Sequence, residues 1–161
     1  MQKTPKKLLL MLRLMRWWPP FLGMGIRVSK ISPDLDFLEV ELKARFWNKN
    51  YVGTAFGGAL MAMTDPFFML MLMQKIGSKY FVWDKATNIR FKKPGRGKLT
   101  ARFEMPNNVV DNIRRQADDL DKIEPIFNVD IKDKEGNVVA TVEKLLSIKR
   151  KDKVRSYREK S

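Results

Sequence analysis

The sequence has no cysteine and no histidine among its 161 residues. Without cysteine there is no disulfide, no thiolate nucleophile and no thiolate metal site, and cysteine usage says nothing about redox compartment. Without histidine the commonest general base, the commonest metal ligand and every Ser-His or Cys-His arrangement are excluded. Any catalysis must run on carboxylates, hydroxyls, amides, basic side chains or the backbone. Long apolar runs are scarce as well. Leu8–Leu12 is too short for a signal core and is followed by Arg13 and Arg16, and Ala59–Met73 is interrupted by Asp65 and Pro66. The expectation is a cytoplasmic protein with no targeting segment. The clustered acids Asp118, Asp119 and Asp121 read as a solvated loop, so no metal and no cofactor are expected.

What is present fits one folded domain: 44% of residues are hydrophobic and 31% charged. The net charge of +14 is carried mostly by the ends. Residues 1–16 hold five Lys or Arg and no acid, and residues 149–161 hold seven basic residues and two acidic ones. Such ends suit long-range attraction of a membrane surface (a weak contact), nucleic acid or phosphorylated ligands, or simply a solvated surface. No helix-turn-helix or basic-aromatic pattern in the body of the chain points to specific nucleic-acid binding.

Periodicity divides the chain into an N-terminal amphipathic helix with a Trp/Pro segment (1–23), a domain (24–148) and a basic, mobile tail (149–161). Residues 6–16 alternate as a short helix that Trp17-Trp18-Pro19-Pro20 ends, because a residue before proline avoids the α region. The two tryptophans read as peripheral core, or as a cap on a pocket or a subunit contact. Ile26–Ile31 and Phe37–Phe46 read as strands, the second with Leu38, Val40, Leu42 and Ala44 on one face. Gly58–Ile76, apolar almost all round and holding five methionines, reads as a buried central helix with an adaptable surface. A long strand follows, with Phe81, Trp83, Thr87, Ile89 and Phe91 assigned to one face. Then come a strand through Leu99–Met105, a helix over 107–119, and a hairpin of two strands turning at Glu135-Gly136-Asn137. One antiparallel sheet curled round one apolar helix, an α+β domain, satisfies this order.

The segment with chemistry in it runs from Asn50 to Asp65. Gly57 and Gly58 stand where the loop enters the central helix, where backbone can approach a ligand and N–H groups favour a developing oxyanion. Asp65 is a carboxylate on an otherwise apolar segment, which calls for a partner or a role. Thr64-Asp65-Pro66 is equally a helix-start signature, with Asp65 as N-cap and Pro66 as first helical residue.

At Asn50, Gly53, Gly57, Gly58 and Asp65 the chain resembles hotdog-fold acyl-CoA thioesterases of the phenylacetyl-CoA type and their relatives of unassigned function. Their motif runs Asn-x-x-Gly-x-x-His-Gly-Gly with an acid nine residues after the His. The His position is Phe56 here. Asp84–Pro94 also resembles that family's long strand and basic turn. The resemblance implies a hotdog fold and a homo-oligomer, dimer or tetramer, with the site at the subunit interface. The Gly57 N–H would polarise the thioester carbonyl, and Asp65 would activate water or attack the carbonyl carbon. Asn50 would orient the loop or the water, or close the loop by a side-chain hydrogen bond. The acyl chain would lie in an apolar slot lined from Met61, Met63, Phe67 and Phe68, Gly53, Phe56 and Gly58 would also bind substrate, and the CoA phosphates would meet Arg90, Lys93 and Arg96. The alternative is a non-catalytic hotdog module that binds acyl-CoA or fatty acid.

Overall fold

A computed structural model describes residues 4–152. Helix α1 (Lys6–Leu14) runs into a 3₁₀ turn at Met15–Trp17, and α2 covers Pro19–Met24. The two prolines therefore open a second helix, with their missing N–H groups where no helical partner is needed. Strands β1 (Ile26–Ile31) and β2 (Phe37–Lys43) precede two short helices, α3 (Gly57–Ala62) and α4 (Phe67–Ile76). β3 (Tyr80–Phe91), β4 (Lys98–Glu104), α5 (Asn107–Asp119), β5 (Ile126–Lys132) and β6 (Val138–Arg150) complete the described chain. The expected tail falls on residues 149–161, of which 153–161 lie outside the described residues.

The six strands form one antiparallel sheet in the order β1-β2-β4-β5-β6-β3. Its concave face is built by alternation. Val40 stands opposite Ala101, Leu42 opposite Leu99 and Val129 opposite Val142, all buried. Against that face α4 packs Phe67, Phe68, Met71 and Leu72. Phe68 stacks on Phe127 at 4.9 Å and meets Phe103 at 5.0 Å. Each large side chain buried this way is worth about 1.5–3 kcal/mol. The sheet curled round an apolar helix is the arrangement the sequence implies.

The central helix departs from its expected form. It is two helices, broken at Thr64-Asp65-Pro66, because proline has no N–H and restricts the residue before it. Asp65 does not cap α4. Pro66 occupies the N-cap position, with no side-chain cap bond, and the helix starts at Phe67.

β3 also differs. A bulge between Asp84 and Ala86 changes which side chains face inward. Before it Val82 and Asp84 pair with Ile148 and Leu146; after it Thr87 and Ile89 pair with Lys144 and Val142. The supposed single face is therefore split. Thr87 and Ile89 turn toward the core, whereas Phe81 and Trp83 lie on the exposed outer face. β3 is an edge strand. The tryptophans Trp17 and Trp18 are not peripheral core but more than half exposed.

Candidate functional site

The break between α3 and α4 sets Asp65 at the surface end of a buried cationic group. Lys144 lies on β6 in register with the core-facing Val142 and Leu146, and it is only 2% exposed. Its Nζ donates to Asp65 Oδ1 at 3.0 Å. It also lies 3.3 Å from Asp84 Oδ1 without an aligned hydrogen bond, so that oxygen is buried and unsatisfied. One ammonium thus holds two carboxylates from two different elements. Asp65 is the more exposed of the two, at 58% against 21%. Burial pushes the Asp84 carboxyl above its ordinary value, with the Lys144 charge opposing and Asp65 adding to the rise.

These three residues line a cavity of about 460 Å³ with Gly58, Met61, Ala86 and Thr87. A second cavity of about 390 Å³ is lined by Gly57, Leu60, Asn50, Phe91, Lys92 and Lys93. Both volumes lie in the range of small-molecule sites. Helix α3 separates them: Gly57 and Leu60 face one, Gly58 and Met61 the other.

Gly57 is the first residue of α3, and among the described residues its N–H and that of Gly58 have no carbonyl partner. Both glycines are closely covered. A Cβ on Gly57 would come 3.1 Å from the tip of the Phe91 ring, and one on Gly58 would come 2.3 Å from the Phe56 ring. Phe56, half exposed, therefore lies over the start of the helix. Asn50 closes its loop: Nδ2 donates to Thr54 Oγ1 at 2.9 Å, and Thr54 N–H donates to Asn50 Oδ1 at 3.0 Å. Gly53 takes φ +78° in that loop, and its carbonyl lies 3.5 Å from Arg96 Nη1.

The expected site residues thus fall into groups. Asp65, Gly58 and Met61 share one cavity, and Gly57, Asn50 and Lys93 share the other. Phe68, Phe67 and Met63 are packed in the core and line neither. Arg90 is exposed on β3 and borders neither cavity. Lys144 and Asp84 in one cavity and Lys92 in the other join these candidates. Lys144 carries a signal, as a charge in the core-facing alternation of β6 with Val142 and Leu146; Asp84 carries none, because Phe81 and Trp83 mark the other face of β3 as apolar. Among the described residues no group of three or more His, Cys, Asp or Glu could hold a metal ion. Asp118, one of the clustered acids, instead accepts from the Tyr80 hydroxyl at 2.7 Å. No helix among the described residues is long and apolar enough to cross a membrane.

The chain belongs to a family described as a domain of unknown function, DUF4442, which matches residues 6–148. No curated protein matches it. Solved structures share its hotdog fold. PA5026 from Pseudomonas aeruginosa, a protein of unknown function described as a "Probable Thioesterase", superposes with a TM-score of 0.80 at 18% identity, over 92% of this chain and 99% of that one. The thioesterase HI1161 from Haemophilus influenzae gives 0.65 at 16% identity, over 93% and 96%. A mutant form of the thioesterase PA1618 from P. aeruginosa gives 0.68 at 14%, over 92% and 97%.

Proposed function

We propose that this DUF4442 protein hydrolyses acyl-CoA thioesters, with Asp65 as base or nucleophile and the Gly57 N–H as oxyanion donor. The observation that carries the reading is the Lys144-centred cluster. A fully buried ammonium is costly unless it does something, and here it fixes the carboxylate of Asp65 at the mouth of a small-molecule cavity. In the reaction Asp65 takes a proton from water as the water adds to the thioester carbonyl. The carbonyl oxygen gains negative charge against the Gly57 N–H, and collapse expels the CoA thiolate. Lys92 and Lys93 beside the Gly57 cavity, and Arg96 on the neighbouring loop, suit the phosphates of CoA.

Asp65 and Gly57 line different cavities of one protomer, so the chemistry needs a second copy. The unpaired edge of β3, with Phe81 and Trp83 exposed beside it, is the natural place for that copy to add. The dimer is part of the proposal.

Gly57→Pro tests both points. Proline at the first helical position removes one N–H and is tolerated there, and Phe56 already has the extended backbone proline requires (φ −61°, ψ 130°). The Phe91 ring must shift slightly. The expected result is a fall in kcat of about 10²–10³-fold with the melting curve nearly unchanged. Co-expressing Gly57→Pro with Asp65→Asn should then restore about a quarter of wild-type activity, since half of the mixed dimers' sites are intact. Full activity in Gly57→Pro, or no rescue on mixing, contradicts the cross-subunit site.

A second reading has its own support. The apolar Phe56 ring lies over Gly58 where the thioesterase motif it resembles has a histidine, and a helix start so covered suits a module that binds acyl-CoA without hydrolysing it. Binding by calorimetry with no thiol release selects it.

A further inference from the structure

The end of the molecule beside β1 carries an apolar and cationic surface that the thioester site does not use. The 3₁₀ turn after α1 and helix α2 pack on β1, the sheet edge opposite β3. Trp17 is 60% and Phe46 86% exposed, and Trp18, Leu22 and Trp47 are each about half exposed. Leu22 and Trp47 line one concavity with Arg16 and Arg45, and Trp17, Trp18 and Phe46 adjoin these residues along the chain. The Arg16 guanidinium lies 5.0 Å from the Trp17 ring and that of Arg45 5.0 Å from the Trp47 ring. Phe46 and Trp47 meet edge to face at 4.9 Å, and Trp47 Nε1 donates to Gly23 O at 3.2 Å. A concavity lined by Arg16, Leu22, Arg45 and Trp47 also takes in Arg27, Lys43 and Lys98. Its one carboxylate, Glu41, is neutralised by Arg27 at 2.8 Å and Lys98 at 3.2 Å. Helix α1, with Leu10 and Leu14 exposed, leads directly into the cluster. The first acid in the chain is Asp34.

We propose that this face docks the protein on an anionic lipid bilayer. Exposed tryptophans beside arginines match the headgroup boundary, where the rings take the amphipathic layer and the cations meet lipid phosphates. The protruding aliphatic Leu10, Leu14 and Leu22 gain from acyl chains and gain nothing from a nucleic-acid backbone. A second copy is a poor occupant, because an isologous contact would bring these cations against their own images. The proposal does not depend on the thioester reading.

The test uses the full chain and sedimentation with phosphatidylcholine vesicles, with and without phosphatidylglycerol. Binding to the anionic vesicles should be at least about tenfold tighter, weaken in high salt and shift tryptophan emission to the blue. Trp17→Ser/Phe46→Ser should lose about tenfold of that affinity. Arg16→Glu/Arg45→Glu should lose the preference for anionic lipid, and it tests the face independently should the first variant fail to fold. Asp65→Asn should bind like wild type. Apart from Arg16, the basic residues of both ends are kept in every variant, so vesicle binding indifferent to both double variants places the contact on the remaining basic residues of the ends and overturns the proposal. Tighter binding to single-stranded RNA than to anionic vesicles overturns it too. So does a change of oligomer size in these variants with vesicle binding intact.

Discussion

Lys144→Met should lower the melting temperature by on the order of 10 °C. The substitution keeps the length of the side chain but removes the ammonium that Asp84 and Asp65 share. Asp65 can turn to water; Asp84, with one oxygen already buried and unsatisfied, has less freedom to do so. Breaking a buried pair by removing one partner costs about 3–5 kcal/mol, and a domain of this size loses about 2–4 °C per kcal/mol. Adding Asp84→Asn to Lys144→Met should recover part of the loss, because the stranded charge is then gone. The pH dependence has a definite sign. Burial raises the Asp84 carboxyl, so the folded chain holds that proton more tightly than the unfolded one. Its contribution to stability is present at acid pH and is lost as pH rises through the ordinary carboxylate range toward the raised folded value. Asp84→Asn should flatten that part of the stability curve. Thermal melts of the two single variants and the double variant across pH check both points. A Lys144→Met protein that melts like wild type contradicts the role given to the ammonium.

Asp65→Asn should lower thioester hydrolysis by about 10²–10⁴-fold, the range of a placed general base. Asparagine is nearly the same shape and can still accept from Lys144 Nζ through its carbonyl oxygen. Because Asp65 is largely exposed and does not cap α4, the fold should survive. The expected signature is therefore lost turnover with acyl-CoA binding retained. If Asp65 served only to restart the chain after the helix break, activity and stability would fall together or not at all.

Much of the architecture was legible because it rests on alternation. Leu38, Val40 and Leu42 mark β2, and the pattern over 107–119 marks α5, each by period alone. The hairpin at Gly136 was legible from its turn residues; Gly136 takes φ +86° there. The bulge in β3 was not, since no glycine or proline marks it, and Phe81, Trp83, Thr87, Ile89 and Phe91 at alternate positions read as one face. That same bulge sets Thr87 opposite Lys144 and brings Asp84 within 3.3 Å of its ammonium, so an unbulged reading of β3 does not bring Asp84 to Lys144. Glu143-Lys144 looks like an ordinary surface pair until Lys144 is counted with Val142, Leu146 and Ile148. Gly57 and Asp65 stand out in the sequence as candidates; their separation by α3 does not, because it depends on how the broken helix sits on the sheet. Apolar helices can line pockets, so the sequence places Phe68 in a binding slot; in the fold Phe103 and Phe127 fill that space.

The most direct measurement is thiol release from short, aromatic and long acyl-CoAs by the wild-type chain beside Asp65→Asn, with binding followed by calorimetry. Turnover of at least one substrate that disappears in a folded Asp65→Asn variant is the predicted result. Binding without thiol release by the wild type, or equal turnover by both proteins, contradicts it.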